Sequence, residues 1–331
     1  MMTKKEIVMR TIRFQRPERL SISFPSQNDD DICSLDYNQM DNQELCVGRD
    51  EWGCVWRAFD KTIGNVFIHP LDNWNKLKKY PFPNPNSKNR FDNARKVLET
   101  GEIKDYYIMG SVNFTLFERM HFLRGFNELL MDIYLNPSKI LALAEIVTDF
   151  QVEIIKGWAK LGVDGLTFSD DWGTQNDLII NPSEWKNIFE PFYSNIFGVA
   201  HEHNLDVFFH SDGQIFKIIP DLIECGVDVL EIPQPRLIGI ERLSREFAGR
   251  IAFYGCVDKQ TTMVYGNFDE IETEVKLLIK SFFVNNGGFI AREPGGGYFS
   301  DYKVLEIKPE KVNFAYEIFK REGEHIYMND F

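Results

Sequence analysis

From about residue 105 onward the chain alternates short apolar runs with longer amphipathic ones, and this alternation restricts the fold more than any other feature. It encodes βα units, in which a helix carries the chain back to start a parallel neighbouring strand. Strands are expected at Tyr106 to Val112, Gly165 to Ser169, Val207 to Ser211, Val227 to Ile232, Ile251 to Cys256 and Gly288 to Arg292, each followed by a helical pattern. The clearest helix opens at Asn136-Pro137, a cap and a first-turn proline. It carries Ile140, Leu143, Val147, Phe150, Ile154, Trp158 and Leu161 at three- and four-residue spacing. Gly162 stops it. A second such pair, Asn181-Pro182, opens a helix running to His201, which Pro191 is expected to kink or break. Six units overfill a small doubly wound sheet. They fit an α/β TIM (β/α)8 barrel whose first members lie in the less regular N-terminal third.

A chain of 331 residues suffices for one such barrel, so a single domain over residues 1–331 is expected. Residues 29–93 are polar, rich in Trp and Pro, and contain the loop YPFPNPNSKNR; they read as a lid or insertion built on the barrel. The net charge of -13 argues against a general nucleic-acid binder, because phosphate neutralisation needs clustered Lys and Arg. Small-molecule and protein partners fit better. The N-terminal stretch MMTKKEIVMRTIRFQRPERL is charged throughout and has no signal-peptide core, and no apolar run approaches membrane-spanning length. Cys33, Cys46, Cys54, Cys225 and Cys256 form no Cys-x-x-Cys pair and read as free thiols, so a cytoplasmic location is expected.

In a barrel of this kind, chemistry lies where strands end and βα loops begin. The residues just after each apolar run form a polar ring of Ser111, Asn113, Asp170, Asp171, His210, Asp212, Gln234, Cys256, Asp258 and Glu293. In FSDDWGTQ, the adjacent carboxylates Asp170 and Asp171 suit a cation or acid–base work, since like charges push one pKa upward. The other reading is that one caps the following turn and the other is solvated. In FFHSDGQ, His210 and Asp212 stand two apart on an extended segment and leave on the same side. That suits a metal, a polarised histidine or a hydrogen-bonded structural histidine. His201 and His203 fall on different faces of a helix end and are expected to be solvated. The glycines of REPGGGY lack phosphate-loop or dinucleotide spacing.

The segments FERMHFLRGFNELL, LGVDGLTFSDDWGTQNDLIINPSEW, VFFHSDGQIFKIIPDLIECGVDVLEIPQP and FYGCVDKQ resemble the uroporphyrinogen decarboxylase superfamily over roughly residues 50 to 322. Within it they are most similar to the corrinoid-dependent methyltransferases, including O-demethylase components. The resemblance implies the same TIM barrel. True uroporphyrinogen decarboxylases grip substrate propionates with an Arg-rich N-terminal segment, whereas this chain reads FQRPERLSISFPSQNDDD, an acidic run that would repel a polycarboxylated porphyrinogen.

Thiol-directed methyltransferases of the superfamily hold zinc through His-x-Cys and a later Cys in a glycine-rich segment. Here the first motif is His210-Ser211-Asp212, and Gly296 of PGGGY falls near the later Cys. Imidazole and carboxylate make a harder site than thiolate, which points away from a thiol acceptor. The resemblance thus implies demethylation of a small methylated compound, such as a phenyl methyl ether, with the methyl passed to a corrinoid carried by a partner protein. On this reading His210 and Asp212, completed by Cys256 or Glu293, hold zinc; alternatively His210 donates a proton, oriented by Asp212 or Asp171. Asp170, Asp171, Gln234 and Ser111 would position substrate, and Trp52, Trp56 and Trp172 would stack on an aromatic ring. A decarboxylase and a non-catalytic barrel binding a ligand or corrinoid partner are the other readings, and a homodimer is a candidate assembly.

Overall fold

The computed structural model describes residues 1–38, 48–57, 64–295 and 305–327. Among them, eight parallel strands form a barrel wall: β1 (Ser21–Phe24), β2 (Ile32–Leu35), β3 (Tyr107–Val112), β4 (Gly165–Ser169), β5 (Asp206–His210), β6 (Val229–Ile232), β7 (Ala252–Gly255) and β8 (Phe289–Arg292). Parallel ladders join them in the order β1-β8-β7-β6-β5-β4-β3-β2. Strands β3 to β8 start and end within two residues of the expected positions.

The N-terminal members are less regular. A short return, Pro25 to Asp31, joins β1 to β2 in place of a helix, with Asp29–Asp30 antiparallel to β1. Asp31 closes the seam. Its backbone N–H donates to Ile22 O at 2.9 Å, and its buried carboxylate accepts from Ile22 N at 3.0 Å and from both terminal nitrogens of Arg19. The expected lid or insertion therefore overreaches at its start, because Ile32–Leu35 is a wall strand. The four residues ICSL are too few to display a period.

Within that region, Gly48–Arg49, Val55–Arg57 and Asn65–Ile68 form a small antiparallel sheet. Two consecutive acids anchor it by burying a guanidinium each. Asp50 takes Arg119 at 3.1 Å, together with the Trp56 indole N–H, and Glu51 takes Arg90 at 2.7 Å.

Alternation along the wall strands sends every second side chain inward. At the N-terminal end these are apolar, and helix Lys4–Ile12 plugs that end by packing Val8 and Ile12 against Ile32, Tyr107 and Ile290. The long helix spans Pro137–Leu161 as its caps predict, with Gly162 left-handed at φ +75°. Pro191 breaks nothing: a π-helical turn at Trp185–Phe189 absorbs the missing N–H, and helix Glu190–Glu202 continues. No helix among the described residues is long and apolar enough to cross a membrane.

Candidate functional site

At the C-terminal end of the barrel the inward positions become polar. His210 ends β5, Glu231 faces it across the β5–β6 ladder in register, and Arg292 ends β8 beside Glu231. His210 Nδ1 lies 3.0 Å from Glu231 Oε1, and Nε2 lies 3.7 Å from Asp171 Oδ1. Asp212, two residues past the strand, places Oδ2 3.2 Å from Lys259 Nζ, while its Oδ1 is buried with no hydrogen-bond partner. Asp171 Oδ1 accepts from the Asp212 backbone N–H at 2.8 Å. One ligand atom each from Asp171, His210 and Asp212 lies within 4.8 Å of the others.

Two interlocked loops hold this group in place. Gly213 sits at φ +83°, and a Cβ there would strike the backbone of Gly173, as one on Gly173 would strike that of Gly213. Gln214 N–H then donates to Thr174 O at 2.8 Å, tying the loop after β5 to the loop after β4. The glycine that follows His210 and Asp212 in the sequence is thus the contact that brings Asp171 to them.

Burial dominates the electrostatics. It lowers the pKa of His210, against the pull of Asp212 and Asp171, and it raises that of Asp171, against His210. Glu118, at the start of helix Phe117–Arg124, accepts from Ser169 Oγ at 3.5 Å; burial, then Asp171 and Asp170, hold it well above the usual carboxylate range. Because its folded pKa exceeds the unfolded one, rising pH strips the proton from the unfolded chain first, and stability falls as pH climbs above the ordinary carboxylate range. Glu118→Gln does not titrate, so its stability relative to wild type is expected to rise between about pH 4 and pH 8 in urea unfolding. A difference that does not change with pH would contradict this.

The structure separates the neighbours Asp170 and Asp171. Asp170 is fully buried and accepts from the backbone N–H groups of Leu116, Phe117 and Glu118 and from the Tyr193 hydroxyl. It caps the start of helix Phe117–Arg124 and does not position substrate, although burial pushes it up to about 7. Trp172 is also core: fully buried, stacked on Phe117 at 4.1 Å, with its indole N–H donating to Tyr193 Oη. Trp52 and Trp56, 1% and 5% exposed, offer no open ring either.

Cys256 and Glu293 fall outside the group of three. The Cys256 thiol is buried 3.7 Å from Pro233 O, and Glu293, next to inward-facing Arg292, turns away to accept from Ser26 N at 3.2 Å. Asp258 accepts from the backbone of Arg236, Gln260 and Thr261, a turn-building role. Ser111 and Gln234 remain at the strand ends, Ser111 donating to Asp36 at 2.5 Å and Gln234 Oε1 3.4 Å from Gln175 Nε2. His201, expected to be solvated, pairs with Asp228 at 2.8 Å. Gly296 and Cys46 lie outside the described residues.

Sequence reasoning missed Glu231, Lys259, Arg292 and Glu118. The available signal was positional: Glu231 lies inside the apolar run VLEI, where a charge on a wall strand faces the barrel interior.

The family model described as Uroporphyrinogen decarboxylase (URO-D) matches residues 58–311. A uroporphyrinogen decarboxylase from Geotalea daltonii is 24% identical over 242 residues, covering 70% of this chain and 66% of that protein, just under two thirds of its length. A methyltransferase from Methanosarcina mazei superposes with a TM-score of 0.71 at 13% identity, covering 97% of this chain and 99% of that one. At that identity the likeness is one of fold.

Proposed function

The chain belongs to the uroporphyrinogen decarboxylase family, and from that premise we propose that it is a methyltransferase which demethylates a small methylated compound, a phenyl methyl ether, and passes the methyl to a corrinoid protein. The observation that carries this reading is the donor set at the barrel mouth: one imidazole and two carboxylates, with no thiolate in the group. Nitrogen and oxygen donors suit a hard or borderline cation set against a leaving oxygen better than one set to activate a thiol. The buried, unpartnered Asp212 Oδ1 fits a cation such as zinc. Asp171, His210 and Asp212 would hold it, and when bound it would supply Lewis-acid polarisation of the ether oxygen. A corrinoid on the partner would supply the nucleophile.

This chain's residues do the rest. Lys259 orients Asp212 through their 3.2 Å contact, and the Asp212 backbone N–H orients Asp171. Glu118, kept protonated by burial, is an acid available to the leaving oxygen. Decarboxylation of a porphyrinogen fits poorly. Asp36, Glu118, Asp171, Asp212 and Glu231 stand at the mouth, and its cations Lys259 and Arg292 already contact Asp212 and Glu231. Arg13 and Arg19 of the N-terminal segment are engaged at the opposite end, by Asp206 and Asp31.

The test is bound metal in wild type and His210→Ala, followed by methyl transfer from a panel of methoxyaromatics and methylamines to cob(I)alamin. Metal is expected in wild type and absent from the variant, with kcat/KM lowered roughly 10²–10³-fold or more. No turnover with any methyl donor, alongside intact binding to a corrinoid protein, would favour a non-catalytic barrel.

A further inference from the structure

The two ring nitrogens of His210 stand in unlike surroundings. Nδ1 is 3.0 Å from Glu231 Oε1, within hydrogen-bonding distance, whereas Nε2 is 3.7 Å from Asp171 Oδ1, beyond it. Asp171 Oδ1 already accepts the Asp212 backbone N–H at 2.8 Å. Glu231 also meets Arg292, a group with donors and no acceptor, so Glu231 faces the imidazole as an acceptor. The wall itself sets this pairing: Glu231 and His210 are register partners on adjacent parallel strands, and both face inward.

We propose that Glu231 is a positioning residue which holds His210 as the Nδ1–H tautomer, so that Nε2 presents its lone pair to the space shared with Asp171 and Asp212. This deepens the site reading above and rests on His210 being the working imidazole. It decides between the two roles open to that residue. With Nδ1–H committed to Glu231, a neutral His210 has no proton on the nitrogen that faces the site. It receives a cation or a proton there, and a proton for the leaving group comes from another residue.

The experiment reads the tautomer directly. Metal-free protein labelled with ¹⁵N-histidine is examined by long-range ¹H–¹⁵N correlation near pH 8, with the His210 signals assigned by their loss in His210→Ala. The expected result is a protonated Nδ1 and a bare Nε2. Glu231→Ala should shift His210 toward the Nε2–H form and weaken zinc binding about 10–100-fold. Glu231→Gln, which still offers a carbonyl oxygen, should retain the Nδ1–H form. A wild-type spectrum showing Nε2–H overturns the proposal, as does a tautomer unchanged in Glu231→Ala. Should either variant fail to fold, the wild-type spectrum alone decides. These readouts need no substrate, so absence of methyl transfer would count against the methyltransferase reading and leave the tautomer assignment intact.

Discussion

Replacing Arg90 by leucine is expected to cost about 3–5 kcal/mol of stability, the usual result of removing one partner from a buried ion pair. Arg90 is 1% exposed. Its guanidinium donates to both Glu51 oxygens at 2.9 and 2.7 Å, to Asn38 O at 3.0 Å and to Asn84 O at 2.7 Å. The substitution strands a carboxylate and two carbonyls where water cannot reach them, beside the rings of Tyr37 and Phe150. Urea unfolding measures the loss, and Arg90→Leu/Glu51→Leu should recover much of it, because a buried pair exchanged for apolar residues is often neutral. A single-variant loss below about 1 kcal/mol would mean that the pair does not anchor the small sheet.

The second large effect separates two adjacent aspartates. Asp170→Ala leaves three backbone donors and the Tyr193 hydroxyl without their acceptor. Each unsatisfied buried donor costs about 1–3 kcal/mol, less when several relax together, so a loss of about 3 kcal/mol or more is expected. Asp171→Ala gives up one backbone hydrogen bond, worth about 1 kcal/mol. It should instead remove bound metal and most methyl transfer. Equal stability losses in the two variants would erase the distinction between a cap and a site carboxylate.

That distinction was invisible in FSDDWGTQ, because two adjacent acids are chemically alike until the fold buries one over a helix start. The wall from β3 to β8 was legible because its apolar runs are long and bounded by turn residues. The strands SISF and ICSL were not. A barrel buries both faces of its wall, and inward-facing Ser21 and Ser23 look like solvent positions in a short alternating stretch. The same physics hid part of the site. His210 and Asp212 follow an apolar run and stand out, whereas Glu231 is embedded in one. Trp172 misled in the other direction, standing beside a polar loop in the sequence while belonging to an aromatic cluster in the fold.

The plug formed by helix Lys4–Ile12 makes the barrel a vessel with one doorway. A small molecule and any larger body that acts on it must share that opening, which imposes an order of events: the small molecule enters first, and its remnant leaves only after the larger body departs. An excess of the larger body should then act as a stopper, slowing turnover when it arrives ahead of the small molecule.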